Sequence, residues 1–79
     1  MDNNYNLKQE QEKTNQQRYC IRSLISQIIA YIAEDYNLTP KQAMQKFFST
    51  KISEKIELVG TGYYLEGPGY VYQIVKEEF

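Results

Sequence analysis

The chain has 79 residues, a formal net charge of −1 and 24% charged residues. A chain of this length forms one domain that buries only about 60 to 65% of its unfolded surface, so we expect marginal stability. Because the net charge is close to zero, we expect no long-range electrostatic attraction of the chain to nucleic acid or to an anionic membrane. No apolar run reaches about 18 residues and no N-terminal signal is evident, which predicts a cytoplasmic protein without a membrane partner.

The first 18 residues form a polar arm. They are rich in Asn and Gln, with Tyr5 and Leu7 as the sizeable apolar residues after Met1. Such a segment cannot bury enough surface to offset the entropy of ordering it, which predicts disorder. Gln, Glu and Lys are fair helix formers, however, so the later half of the arm can instead extend the next helix. We predict a flexible polar arm over residues 1–18 and a single helical domain over residues 19–79.

The clearest predicted element is a helix from Tyr19 to Tyr36. Apolar residues recur in it at the i, i+3, i+4, i+7 spacing of one helical face. They are Ile21, Leu24, Ile25, Ile28, Ile29, Ile32 and Tyr36. We expect the helix to end at Asn37, because asparagine tolerates the left-handed conformation that is common just past a helix end. The same apolar face could meet a second copy of the chain, so self-association stays open.

A second helix is predicted to begin at Pro40. Thr39 suits the N-cap, proline suits the first helical position, and Gln42 completes a Thr-x-x-Gln capping box. The helix should end near Ser49. Its apolar side chains, which we expect to face the first helix, are Ala43, Met44, Phe47 and Phe48.

A third, short helix should follow. Ser49 and Thr50 can interrupt the second helix and cap the next one. The apolar face of the third helix comprises Ile52, Ile56 and Val59. Gly60 and Gly62 are expected to end it, because glycine is the residue that most readily leaves helical geometry.

The segment 63–79 fits two structures. In a helix, Gly67 is the N-cap and Pro68 the first residue. The residues facing inward would then be Val71, Ile74, Val75 and Phe79. In a hairpin, residues 63–65 pair with residues 70–75, and both stretches are rich in aromatic and β-branched residues. We favour the helix, and the predicted fold class is mainly α, with three to four helices and a short extended or hairpin-like segment near residues 63–65.

Catalytic chemistry has little support in the sequence. The chain contains no histidine, the commonest general base and metal ligand, and one cysteine, Cys20. One cysteine can form neither a disulfide within the chain nor a zinc site. Without a base beside it, we interpret Cys20 as a small hydrophobic residue. We therefore predict a protein that is not an enzyme and has no catalytic, metal or cofactor site.

Four lysines support one hypothesis, a small DNA-binding regulator. Lys41, Lys46, Lys51 and Lys55 lie on short predicted helices of the kind that bring cations to phosphates. No Arg, Asn or Gln is evidently aimed at base edges from the third helix, and the chain as a whole is slightly acidic. A protein partner is therefore preferred over nucleic acid.

Tyrosine is the most unusual feature of the composition. The chain has eight, of which Tyr63, Tyr64, Tyr70 and Tyr72 lie close together in the sequence. A small core cannot bury them all, and tyrosine is enriched at protein interfaces because it offers rigid area and a hydroxyl group. We predict that these four belong to a partner-binding surface. Ordinary core and surface positions are the alternative.

Two stretches of the sequence resemble a known family. The first is Leu38-Thr39-Pro40 followed by Ala43, Phe47, Phe48, Ser49 and Ile52, and the second is Gly62-Tyr63-Tyr64-Leu65-Glu66-Gly67-Pro68-Gly69-Tyr70-Val71-Tyr72. Over residues 21–77 the chain is similar to a family of uncharacterised bacterial domains of about 60 residues. That family has no assigned activity, and some relatives are encoded beside toxin-like genes. The resemblance implies a protein-binding module that is antitoxin-like or accessory to a toxin-like neighbour.

Overall fold

The computed structural model describes residues 14–79. Its four α-helices are α1 (Asn15–Asp35), α2 (Pro40–Phe48), α3 (Ile52–Ile56) and α4 (Pro68–Lys76). Two 3-10 helices, Val59–Thr61 and Tyr63–Leu65, connect α3 to α4. The long α1 contacts α2, α4 and the second 3-10 helix. The predicted mainly helical fold is confirmed.

The first helix begins four residues earlier than the apolar pattern indicated. Thr14 is its N-cap: the Thr14 hydroxyl accepts a hydrogen bond from the Gln17 backbone N–H at 3.0 Å. The Gln17 side-chain oxygen accepts one from the Thr14 backbone N–H at 2.9 Å. These reciprocal bonds satisfy two backbone donors that a helix start leaves unpaired. Helix extension is therefore confirmed for residues 15–18, whereas the predicted disorder of residues 1–13 lies outside the described residues.

The end of α1 is set by Asn37, as predicted. Asn37 has a φ of 53°, in the left-handed region. Its N–H donates to the Glu34 carbonyl at 3.4 Å, and the Leu38 N–H donates to the Ala33 carbonyl at 2.9 Å. This 5→2 and 6→1 pair is a Schellman motif, which satisfies carbonyls that the helix end leaves free. The chain then reverses and starts α2 at the predicted Thr39–Gln42 capping box.

The core lies between α1, α2, α3 and α4. Its members include Leu24, Ile28, Ile32, Ala43, Phe47, Ile52, Ile56, Val71, Tyr72 and Val75. Phe47, Ile28 and Ile32 are fully buried. The apolar face of α1 is thus covered mainly by the chain's own helices, and what remains of it for a second copy is its half-buried edge at Ile25 and Ile29.

The corner between α2 and α3 is made by two buried hydroxyl groups. Thr50 donates to the Phe47 carbonyl at 2.7 Å and accepts from the Ser53 backbone N–H at 3.2 Å. Ser53 in turn donates to the Thr50 carbonyl at 2.7 Å. Each buried polar side-chain atom of the described residues therefore has a partner. Thr50 interrupts the helices as predicted, but the predicted cap of α3 by Ser49 or Thr50 is wrong, because the N-cap is Lys51 and its side chain makes no capping bond.

The structure after α3 differs from one of our predictions and agrees with another. Val59 starts a 3-10 helix and does not continue α3. The prediction of an extended or hairpin-like segment near residues 63–65 is wrong, because those residues form a second 3-10 helix. Gly62, with a φ of 72°, joins the two turns. The helix alternative is confirmed for α4, which starts at Pro68 with Gly67 as N-cap. Val71 and Val75 face inward as predicted, but Tyr72 joins them in place of the more exposed Phe79.

Replacing Asn37 tests the end of α1. Asn37→Ala should lower the free energy of unfolding by about 1 kcal/mol, because a left-handed backbone is costly for a residue whose side chain cannot bond locally. Asn37→Gly should not lower it. Urea denaturation followed by circular dichroism measures both, with Gln45→Ala on the exposed side of α2 as control. Equal stability of the alanine and glycine variants would contradict this account.

Candidate interaction surface

Tyr72 is a core residue. Its side chain is 5% exposed, and its ring centroid lies 5.3 Å from that of Tyr31. The Tyr72 hydroxyl donates to Oδ2 of Asp35 at 2.7 Å, which ties α4 to the end of α1. Burial, then the hydrogen bond to Asp35 and the charge of that carboxylate, raise the pKa of Tyr72. The prediction that places Tyr72 on a contact surface is wrong, because packing against α1 leaves little of it to touch a partner.

The other three predicted contact tyrosines occupy different environments. Tyr63 is half-buried and packs against the core. Tyr70 is 60% exposed on the first turn of α4. Tyr64 is half-buried, and its hydroxyl accepts a hydrogen bond from Nε2 of Gln17 at 3.2 Å. The cluster in the sequence is therefore not one cluster in space, since successive side chains of the connecting turns and of α4 point in different directions.

Tyr64 lies where α1 meets the second 3-10 helix, between two adjoining hollows. One hollow is lined by residues including Tyr19, Cys20, Tyr64 and Pro68. The other is lined by residues including Gln17, Cys20, Tyr64 and Leu65. Because Cys20 and Tyr64 line both, the hollows form one continuous surface. We call the surface formed by Tyr19, Cys20, Tyr64 and Leu65 the Tyr64 surface.

Two exposed side chains dominate the Tyr64 surface. Tyr19 is 73% exposed and Leu65 is 74% exposed. The sequence pattern predicted Tyr19 as the start of the first helix and indicated no contact role for Tyr19 or Leu65. A signal for Tyr19 was present, because it does not share the i, i+3, i+4 face that starts at Ile21. Leu65 had no comparable signal, since its exposure depends on the 3-10 turn that carries it.

The composition of the Tyr64 surface suits a macromolecular partner. Its two hollows, of about 190 and 290 Å³, are open to solvent. Aromatic and aliphatic groups beside hydroxyl and amide groups are typical of protein interfaces. Cys20 is half-buried within this surface. Over residues 14–79, no group of three His, Cys, Asp or Glu side chains is placed to hold a metal ion.

The four lysines do not share one helix face. Lys41 and Lys46 are five positions apart on α2, which separates them by about 140° around the helix. The Lys46 ammonium lies 5.0 Å from the ring centroid of Tyr36 and 4.3 Å from that of Phe79, so it is engaged by aromatic rings.

Lys51 and Lys55 lie one turn apart at α3, beside the carboxylate of Glu78. This nearby negative charge offsets part of their positive charge. The four predicted lysines therefore do not form a single basic surface that could bind phosphate groups.

An apolar groove also runs between α1 and the start of α2. It encloses about 560 Å³ and is lined by Ser26, Ile29, Ala30, Ala33, Glu34 and Pro40. It is the exposed remainder of the α1 face for which the sequence left self-association open. The groove shows no exposed aromatic side chain of the kind that Tyr19 supplies at the Tyr64 surface.

Removing the Tyr72 hydroxyl tests its structural role. Tyr72→Phe keeps the ring and loses the hydrogen bond to Asp35, so the free energy of unfolding should fall by about 1 kcal/mol. Tyr70→Phe, at an exposed position of the same helix, should change it by less than about 0.5 kcal/mol. Thermal and urea denaturation measure both. A Tyr72→Phe protein as stable as Tyr70→Phe would show that the hydrogen bond contributes nothing.

The raised pKa of Tyr72 makes a second prediction about alkaline pH. A group whose pKa is raised on folding contributes stability that is present below its unfolded pKa and is lost as the pH rises above it. Stability of the wild-type protein should therefore fall more steeply than that of Tyr72→Phe above pH 10.0, the ordinary tyrosine value. Urea midpoints measured from pH 8 to pH 11 provide the comparison. Parallel curves for the two proteins would refute the assignment.

No described helix is both long and apolar enough to cross a bilayer. Comparisons of the chain with protein-family models, with curated proteins and with solved structures gave no match. The family resemblance of residues 21–77 therefore stays a prediction. The candidate site rests on its own geometry, an exposed apolar surface built around the anchored ring of Tyr64.

Proposed function

We propose that this chain is a non-enzymatic protein-binding module and that the Tyr64 surface is its contact site. One observation carries the proposal: Tyr19 and Leu65 expose nearly three quarters of their side chains beside half-buried Tyr64 and Cys20. Exposed apolar area of this kind gains free energy when a partner removes it from water. Tyrosine is among the residues that contribute most to protein interfaces.

Local rigidity supports the same function. Gln17 takes part in the capping box of α1 through its oxygen, and its Nε2 donates to the Tyr64 hydroxyl. The Tyr64 ring is thereby held by a side chain that is itself fixed to the helix start. A ring that is already ordered loses less conformational entropy on binding, which favours affinity.

The class of partner follows from the composition of the surface. Aromatic, aliphatic and amide groups surround Tyr64, and the predicted cationic residues lie on other elements. A second protein chain suits this surface better than nucleic acid does. The family resemblance of the sequence adds a finer proposal, a bacterial cytoplasmic module that is antitoxin-like or accessory to a toxin-like neighbour.

Substitution of the two exposed residues tests this function. The binding protein is first isolated from the native host and then titrated with the purified chain by calorimetry. Tyr19→Ser and Leu65→Ser should each weaken binding by roughly ten-fold or more, because each removes a large apolar contact. Tyr70→Ser, at an exposed tyrosine outside the Tyr64 surface, is the matched control.

Circular dichroism should show that all three variants remain folded, because the replaced side chains lie mostly in solvent. Unchanged affinity of both Tyr19→Ser and Leu65→Ser would remove the Tyr64 surface from the function. A loss confined to Tyr70→Ser would instead place the contact on the outer side of α4.

A further inference from the structure

The chain between α2 and α4 is built from short elements. Residues 51–66 comprise the five-residue α3 and two 3-10 helices of three residues each. Neither 3-10 helix contains a buried residue. Helices of this length do not persist in water without tertiary contacts. The 51–66 segment is therefore ordered by what holds it to the rest of the fold.

The first of these contacts is made by Glu78, two residues beyond the end of α4. Both of its carboxylate oxygens accept hydrogen bonds at 2.8 Å, one from the Lys51 backbone N–H and one from the Ile52 backbone N–H. These N–H groups begin α3, where no side chain of the helix itself provides a cap. Charge-assisted bonds to a helix start are stronger than bonds between neutral groups.

Further contacts hold the segment. Ile52 and Ile56 are buried in the core, and Tyr63 packs against it. Ser53 donates two hydrogen bonds to Thr50, at the corner after α2. At the far end, the Tyr64 hydroxyl accepts from Gln17 of α1. The segment is thus held at its start by Glu78 and Thr50, at its end by α1, and between them by the buried side chains of α3 and by Tyr63.

We propose that the 51–66 segment is a flap that opens independently of α1, α2 and α4, and that Glu78 is the latch that keeps it closed. Burial of Ile52 and Ile56 opposes opening, so the closed form is the dominant one. In folded domains, a unit with few buried side chains opens at a lower free energy than the whole domain unfolds.

The flap controls the Tyr64 surface, a consequence that rests on the proposed function. Tyr64 and Leu65 lie on the flap, whereas Tyr19 and Cys20 lie on α1. Opening separates the two halves of the surface. The latch at Glu78 therefore acts at a distance on the partner site, by setting the fraction of molecules in which the surface is complete.

Protonation of Glu78 is one way to release the latch. The bonds from Lys51 and Ile52 lower the pKa of Glu78, assisted by the charges of Lys51 and Lys55. A carboxylate whose pKa is lowered on folding contributes stability above its unfolded pKa and loses it as the pH falls through the folded value. Acid therefore weakens the latch and raises the fraction of molecules in which the flap is open, while burial of Ile52 and Ile56 still opposes opening.

The other charged groups near the latch are identifiable. On α2, Lys46 lies over the ring of the neighbouring Phe79. On the same stretch as Glu78, Lys76 lies over the ring of Tyr72 and Glu77 is exposed. The other carboxyl groups near the latch are Glu77 and, in the first turn of α3, Glu54, so an effect of acid at Glu78 must be separated from effects at these two residues.

Hydrogen exchange of the full chain, without a partner, tests the flap. The variant is Glu78→Gln and the matched control is Glu77→Gln, both at neutral pH. Amides of Leu58, Thr61 and Leu65, which donate within the flap, should exchange roughly ten-fold faster in Glu78→Gln because the charge-assisted bonds are lost. Amides in the middle of α1 should exchange as in the wild type, and Glu77→Gln should match the wild type throughout.

An equal acceleration in α1 would show that Glu78 stabilises the whole fold, and no acceleration would show that it is not a latch; either result overturns the proposal. A measurement on the wild-type chain is independent of any variant. The Lys51 and Ile52 amide resonances should shift together with one midpoint below the ordinary glutamate pKa as the pH is lowered. Resonances that do not respond, or that shift only at global unfolding, would also overturn it.

These measurements do not involve a partner, so they separate the two proposals. If Tyr19→Ser and Leu65→Ser both leave partner affinity unchanged while the Glu78→Gln flap exchanges faster, the flap stands and the proposed function fails. If the exchange rates do not change while Leu65→Ser weakens binding, the function stands and the flap fails.

Discussion

Burial of one face of α1 is the constraint on which the rest of the structure depends. Ile28 and Ile32 are fully buried, in one core cluster with Phe47 of α2 and Val71 and Val75 of α4. Since a chain of this size has a small core, α1 must supply much of it. The positions of α2 and α4 follow from this face, and with them the positions of every surface discussed above.

Polar contacts then determine where each element begins and ends. Two capping boxes start α1 and α2, a Schellman motif ends α1, and paired hydroxyl groups turn the chain between α2 and α3. Side chains distant in sequence fasten the remaining pieces: Asp35 to Tyr72, Gln17 to Tyr64, and Glu78 to the start of α3. In a domain with little buried area, such bonds decide which segments stay closed and which can open.

The function suggested for this fold lies where the core does not reach. Tyr19 is on the side of α1 away from the buried face, and Leu65 is on a 3-10 turn with no buried residue. Both are exposed because other side chains of the chain already fill the core. The Tyr64 ring links them, since it is half-buried and anchored by Gln17. A contact site next to a lightly held segment couples recognition to the stability of that segment.

Local information in the sequence determined the helices and most of their boundaries, but not the end of α3 at Ile56, ahead of the glycines that were expected to end it. The apolar spacing of α1, the Thr39–Gln42 box, the left-handed Asn37 and the Gly67–Pro68 start of α4 each depend on neighbours within a few positions, so they could be predicted correctly. The Thr14–Gln17 box is a local signal of the same kind, but it lies in the segment for which composition predicted disorder. The candidate site was harder to predict from the sequence, because its four predicted tyrosines are close in sequence but far from forming one cluster in space. They are Tyr63, Tyr64, Tyr70 and Tyr72.

Only the tertiary structure decided which tyrosine is buried. Tyr72 meets Tyr31 and Asp35 of α1, and Tyr64 meets Gln17, through contacts that span dozens of residues and leave no periodic pattern. The same holds for Leu65, exposed by a 3-10 turn where an extended piece was expected, and for Glu78, whose carboxylate reaches the start of α3. Short-range chemistry sets secondary structure, whereas exposure and partnership depend on how the helices pack.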